Sequence, residues 1–427
     1  MANAKRPSLW RNRDFSLFWG GQSLSLIGSQ VSVVALPLMA LETLHATTFK
    51  VGLLTTFSTL PWLLVSLPAG VIVDRCRKRK VMFWCDIGRF LTLSSVPVAA
   101  GLGILSLTHL YVVALLSGTL AVFFSSAYLS YPAMLVDPDQ LVDANGKVSS
   151  ASAVAGVVGP SLSGFLVGIT SAARAVAVDG VSYLVSAISL VFIRHSEPRR
   201  TPQAARQGKF RREMAEGLKI IFRDRTMASL TFANAWGNLL LTAFNSLWLL
   251  YAVRGLGWTP RTVGLVMGIS AVGGVIGSLL AKPVIQRYGL IRVLLFGQFL
   301  LAPGQVTAVL MPRGSLGEIA ICAGLMATLT SAIMYDIAQR TYRIASCAPE
   351  MLGRLNATAK WIQWGTRPLA GVLSGALGTW LGLRPSILLF SVLLFLCPVA
   401  LWRSPLVQEY RCLRESASES SAPAATG

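Results

Sequence analysis

Six ionisable residues stand inside long apolar stretches of this sequence: Asp86, Arg89, Asp179, Asp336, Lys360 and Arg367. Each is expensive to hold in apolar surroundings and requires a partner or a task. Asp86 and Arg89 are three apart, so they share one face of a helix and suit a structural ion pair. A carboxyl that gains and loses a proton as its surroundings alternate between apolar and charged can carry protons. Asp336 and Asp179 are the candidates for that chemistry, with Glu42 at the end of an earlier apolar stretch the third. Arg367, beside Pro368, is placed to meet an anionic group of a bound molecule or one of these acids.

The elements that must position these groups are membrane helices. The chain has 427 residues, 53% of them hydrophobic and only 13% charged, with a mean hydropathy of +0.60. Soluble domains carry about 25% charged residues. Apolar runs of about 20 residues span a hydrocarbon core of about 30 Å. Twelve such runs are predicted, near 16–41, 50–73, 81–104, 109–131, 148–170, 172–193, 228–252, 262–281, 291–311, 317–338, 355–378 and 384–402.

The net charge of +20 could suit nucleic acid, but its distribution argues against that partner. Of the 38 lysines and arginines, about 29 fall on one side of the alternating loops and six on the other. That imbalance is the positive-inside pattern, and it predicts both termini in the cytoplasm. The three histidines lie apart at predicted loops, and the six cysteines are scattered with no Cys-x-x-Cys. Neither pattern suits a metal, catalytic or disulfide framework. The basic N-terminus lacks a small-residue cleavage site after its first apolar run, so no removable signal peptide is read. A phosphate-cradling Gly-x4-Gly-Lys-Ser/Thr loop is missing, so ATP is not the expected direct energy source, and no cofactor is expected.

The longest polar stretch between runs, 194–227, divides the runs six and six. It yields a tail at 1–15, an N-terminal bundle at 16–193, a basic linker, a C-terminal bundle at 228–402, and a low-complexity, disordered tail at 403–427. Within the linker, 210–225 has helical character and suits the anionic lipid surface. The two halves resemble each other. Pro138-Asp139-Gln140-Leu141 recurs 211 residues later as Pro349-Glu350-Met351-Leu352, Gly164 falls on Gly375 at the same offset, and Val73-Asp74-Arg75 falls on Ile285-Gln286-Arg287 at 212. A duplicated six-helix unit in parallel orientation is a transporter architecture.

Polar residues form stripes on the first and seventh runs. Gln22, Ser25, Ser29 and Ser32 fall within an arc of about 80° at ~100° per residue. Asn234, Asn238, Thr242 and Asn245 fall within a similar arc, with Trp248 and Tyr251 beyond. Amides facing lipid are costly, so both stripes point inward. They line a central substrate cavity, or they only hydrogen-bond between helices. The small-residue patterns Gly264-x3-Gly268, Gly273-x3-Gly277 and Gly371-x3-Gly375 suit close helix packing.

The stretch Gly70-x3-Asp74-Arg75-x2-Lys78-Arg79 resembles the signature turn between the second and third helices of the major facilitator superfamily, with Arg77 where that family usually has a glycine. The second copy keeps Arg287, Gly289 and Arg292 but has Gln286 in place of the acid. A narrower resemblance, to the bacterial macrolide-efflux and enterobactin-exporter branch, rests on the fifth-run motif from Ala155 to Gly164, with Gly156, Gly159, Pro160 and Gly164. Leu141-x2-Ala144-Asn145-Gly146, Asp179-x2-Ser182-Tyr183-Leu184, Glu216-Gly217-Leu218 and Leu256-Gly257-Trp258-Thr259-Pro260 also fit. The resemblance implies an all-α membrane protein of twelve transmembrane helices in two six-helix pseudo-repeat bundles. It implies a cytoplasmic latch at Gly70, Asp74, Arg75, Arg79 and Arg287, unless those cations only set topology.

The expectation is a monomeric secondary transporter of the bacterial inner membrane. It exports an amphipathic small molecule, such as a drug, macrolide, siderophore or secondary metabolite, against inward proton flow. Transport of a lysophospholipid or a nutrient is the alternative. A membrane-embedded enzyme or receptor is the reading from an unlike class; it would need a catalytic cluster or a large extramembrane domain, and the sequence has neither.

Overall fold

The computed structural model describes residues 9–195, 197, 216, 218, 219, 221–312, 314–346 and 349–402. The first eight residues of the expected N-terminal tail, half of the linker helix over 210–225 and the tail 403–427 lie outside the described residues.

The described chain is helical throughout and contains twelve spans. They are α1 (Arg13–Glu42), α2 (Thr48–Leu64 continuing as Ser66–Arg75), α3 (Lys78–Gly101), α4 (Leu107–Tyr128), α5 (Leu141–Ile169) and α6 (Ala172–Phe192). Then come α7 (Arg225–Leu250), α8 (Pro260–Tyr288), α9 (Leu290–Phe299 with Leu301–Leu310), α10 (Ser315–Ser346), α11 (Pro349–Gly365 with Arg367–Trp380) and α12 (Leu383–Leu393 with Leu396–Trp402). Among the described residues seven helices are long and apolar enough to cross a membrane, and the bent α2 makes an eighth. The remaining four are instructive. α3 carries Asp86 and Arg89, α7 its asparagines and α11 Lys360 and Arg367, while α12 is broken. Polar residues lower the hydropathy of α3, α7 and α11, and the break shortens α12.

Each broken span breaks just ahead of a proline. α2 bends by 55° at Val65, three residues before Pro68. α9 breaks at Leu300 before Pro303, α11 at Thr366 before Pro368, and α12 at Leu394 and Phe395 before Pro398. A proline offers no N–H to the carbonyl four residues back and its ring crowds that carbonyl, so the helix yields there.

Caps hold the helix starts. The Asn12 side chain accepts from the Phe15 N–H at 3.1 Å and donates to the Leu135 carbonyl at 2.7 Å. Ser106 and Ser171 cap α4 and α6. One Asp224 carboxylate oxygen accepts from the N–H groups of Thr226 and Met227 at 2.8 and 3.2 Å. Such side-chain acceptors replace the partners that the first N–H groups of a helix lack.

Lipid-facing and packed sides separate clearly on α3. Trp84, Leu91 and Val98, seven apart, are 66%, 62% and 59% exposed, whereas Asp86 is fully buried. An apolar stripe open to the surroundings opposite a buried acid is what a helix at the edge of a membrane bundle requires.

The residues pack as two compact units. One comprises Met1–Ala205, Thr242–Val272 and Arg367–Ile387; the other comprises Arg206–Leu241, Gly273–Thr366 and Leu388–Gly427. In the first unit two glycine crossings do the joining. A methyl on Gly164 of α5 would stand 2.7 Å from the Gly264 Cα of α8, and a methyl on Gly52 of α2 would stand 2.7 Å from the Gly375 Cα of α11. Gly52 and Gly264 are 212 apart in sequence, Gly164 and Gly375 211 apart. The two crossings are therefore the same contact made twice, once by each partner's repeat. In the second unit Gly273 and Gly277 bring α8 against Met326 and Thr330 of α10, and the Thr330 hydroxyl donates to the Gly273 carbonyl at 2.9 Å.

Candidate functional site

A buried polar cluster in the first unit lies where α1, α3 and α6 meet. α6 presents Asp179, Tyr183 and Ser186 at i, i+4 and i+7, one face of a helix. The polar stripe of α1 runs antiparallel to it. The Gln22 amide donates to the Ser186 hydroxyl at 2.7 Å, and that hydroxyl donates to an Asp86 oxygen at 2.6 Å. One turn on, the Ser29 and Tyr183 hydroxyls are 2.7 Å apart. At the next turn the Ser182 hydroxyl reaches the Asp179 carboxyl at 3.3 Å, and Ser32 of α1 is buried. Close approach is possible because Gly28 of α1 faces Asp179: a methyl there would stand 2.7 Å from the carboxyl oxygen.

Asp86 and Asp179 are 0% and 1% exposed. Arg89 is within electrostatic reach of both. Its guanidinium lies over the Tyr183 ring at 4.9 Å and the Phe124 ring at 5.4 Å, cation–π contacts that replace part of its hydration. The expected contact ion pair between Asp86 and Arg89 does not form, because Asp86 turns to Ser186 instead. Of the stripe expected to line a central cavity, Gln22 and Ser29 make these helix-to-helix bonds; Gln22, Ser25 and Ser32 are buried, and Ser29 is half-buried against Tyr183.

The other proton-carrying candidates sit differently. Asp336 pairs with Arg340 at 2.7 Å across one turn of α10, partly exposed. Glu42 is the exposed last residue of α1.

In the second unit Asn234 of α7 donates to the Gln339 side chain of α10, whose amide in turn donates to the Leu230 carbonyl at 3.0 Å. Asn238 is half-buried and Asn245 exposed. Trp248, in the first unit, belongs to an aromatic group with Phe244, Tyr251 and Trp258 at centroid distances of 5.9, 6.1 and 5.9 Å. α7 passes there into a π-helical turn, Tyr251–Gly255, a geometry frequent at functional sites. Arg367 is half-buried at the break of α11.

The basic turn between α2 and α3 is held by an acid the sequence pattern does not reveal. Asp74, Arg75 and Arg287 are exposed, and Gly70 has open space around it. The carboxylate in the turn is Glu197, just beyond α6, which accepts from the N–H groups of Lys78 and Arg79 at 2.8 and 2.6 Å. The Arg79 guanidinium also donates to the Ile193 carbonyl. A carboxylate on the first N–H groups of α3 is favoured by the helix dipole. In the fifth-run motif, Gly159 packs against Gln30 and Ile27 of α1 and Gly164 against α8, while Gly156 faces open space. Pro160 lies inside an unbroken α5. Among the described residues no three histidine, cysteine or acidic side chains gather as a metal site would require.

Comparison with known proteins agrees with this architecture. The family described as Major Facilitator Superfamily matches residues 18–253. Multidrug efflux pump Tap of Mycolicibacterium fortuitum is 22% identical over 90% of this chain and 93% of its own length. Enterobactin exporter EntS of Citrobacter koseri is 25% identical over 83% of this chain and 80% of its own. Among solved structures, a D323A mutant of the nucleoside transporter NupG superposes with a TM-score of 0.75 at 12% identity, covering 92% of this chain and 99% of that one.

Proposed function

The chain belongs to the major facilitator superfamily, and from that premise we propose that it is a proton-driven exporter of amphipathic small molecules. Its multi-pass membrane character and its kinship with small-molecule transporters come with the family. Export, proton drive and substrate class are our reading. The observation that carries it is the similarity to a multidrug efflux pump across 90% of this chain and 93% of that pump. The name of the enterobactin exporter supports the same direction.

Both termini are read as cytoplasmic in a bacterial inner membrane, on the uneven distribution of lysine and arginine. The six-helix halves 16–193 and 228–402 are read as the moving bodies of an alternating-access cycle. The paired glycine crossings then lie in the outer halves of their helices, where close backbones can part without unpairing side chains. Asn245, Arg367 and the aromatic group around Trp248 are the proposed substrate-facing surface: rings for an apolar body, one amide and one cation for polar substituents. Asp74, with Arg75 and Arg79, remains the proposed cytoplasmic latch. Asp179 is the favoured proton carrier of the three acids, since it alone is buried.

Efflux of a panel of dyes, macrolides and catecholates from cells expressing the chain, with and without a protonophore, tests the reading. Lower accumulation on expression, restored by the protonophore, is expected. Accumulation unchanged for every compound would overturn export. Lower accumulation insensitive to the protonophore would overturn proton drive alone.

A further inference from the structure

We propose that α1, α3 and α6 enclose a one-proton site in which Asp86 and Asp179 share a single dissociable proton across Arg89, and that the Gln22–Ser186 and Ser29–Tyr183 bonds transmit its state to α1. Its role in transport rests on the proton-driven reading above; its existence does not.

The argument is a count of charges. α3 supplies Asp86, Arg89 and the Cys85 thiol, and α6 supplies Asp179 and Tyr183. α1 brings only the neutral Gln22, Ser29 and Ser32 to this seam. α4 brings Phe124, its own titratable groups His109, Tyr111 and Tyr128 standing near its two ends. Two carboxyls therefore share one guanidinium. With both ionised the buried cluster carries a net negative charge, which apolar surroundings penalise heavily. With one protonated it is neutral. Two acids that interact through one cation titrate as a pair, so the proton belongs to the cluster.

The hydrogen bonds give that proton a mechanical consequence. With Asp86 ionised, the Ser186 hydroxyl donates to it and accepts from Gln22. When a protonated Asp86 donates to Ser186, the serine's own hydrogen turns elsewhere and its oxygen accepts from both Asp86 and the Gln22 amide, which shifts the Gln22 bond. Asp86 Oδ1 and Arg89 Nε are buried with no hydrogen-bond partner among the described residues. The cluster therefore holds spare acceptor and donor capacity for such a rearrangement.

Infrared difference spectroscopy on the purified full-length protein in detergent tests this without any substrate. The wild type is expected to show the carbonyl stretch of one protonated buried carboxyl near neutral pH, lost at alkaline pH. Asp86→Asn and Asp179→Asn each leave one acid for one cation, and each should abolish the band. Arg89→Gln leaves two acids without a cation and should double it; Arg89→Lys should restore a single band and serves as the folding control. A band unchanged in both asparagine variants, or absent from the wild type, would overturn the site. If the band behaves as stated while efflux ignores the protonophore, the site stands and the proton-driven reading falls.

Discussion

Gly164 and Gly264 face each other across the α5–α8 crossing with no room for a side chain on either: an added methyl would stand 2.7 Å from the opposite Cα. Gly156, two turns earlier on α5, faces open space. The contrast makes a direct test. Gly164→Val should cost about 1–3 kcal/mol through overpacking, and should lower the melting temperature in detergent and weaken transport. Gly156→Ala should be neutral or slightly stabilising. Equal effects at both positions would contradict the crossing.

Glu197 and Asp74 stand close to the same turn and should fail differently. Glu197→Ala removes the acceptor for two N–H groups at the start of α3 and should cost about 1 kcal/mol, the usual worth of such a cap. Asp74→Asn, at an exposed position, should leave the melting temperature unchanged. A latch role predicts that it nonetheless impairs transport; full transport at normal expression removes Asp74 from the mechanism.

Cysteine scanning in a background without the native cysteines distinguishes the two polar stripes. Ser25 is buried on α1 and Asn245 is exposed on α7. A water-soluble thiol reagent should leave Ser25→Cys unlabelled and label Asn245→Cys. Rapid labelling of Ser25→Cys would return the α1 stripe to a wet cavity.

The three acids expected to carry protons should separate in efflux assays. Asp336 sits in a partly exposed pair with Arg340, an arrangement worth about 0–1 kcal/mol, so Asp336→Asn should leave protonophore-sensitive efflux near wild type. Glu42→Gln should do likewise. Asp179→Asn should abolish it. Loss in Asp336→Asn with retention in Asp179→Asn would reverse the assignment.

The spans are legible in the sequence because lipid imposes a simple rule: about 20 apolar residues per crossing. The repeat is legible too, and its offset links the two glycine crossings. The destination of the α1 stripe is not. A row of Gln22, Ser25, Ser29 and Ser32 suits water or another helix equally well, and only the partner face decides. A signal exists in the spacing of Asp179, Tyr183 and Ser186, which presents a matching polar face on α6. Reading Asp86 and Arg89 as a contact pair fails for a related reason: residues three apart share a side of the helix, but Ser186 offers Asp86 a nearer partner. Glu197 carries no local signal at all, since it caps a helix 119 residues away in sequence.

That distant cap has one more effect. α3 and α6 are pinned twice, at the end by Glu197 on Lys78 and Arg79 and along their length by Ser186 on Asp86. Two rods bolted at two heights cannot slide past each other. Whatever motion a change of protonation sets off must tilt the pair as a single lever, and α1, tied to α6 through Gln22 and Ser29, is carried with it.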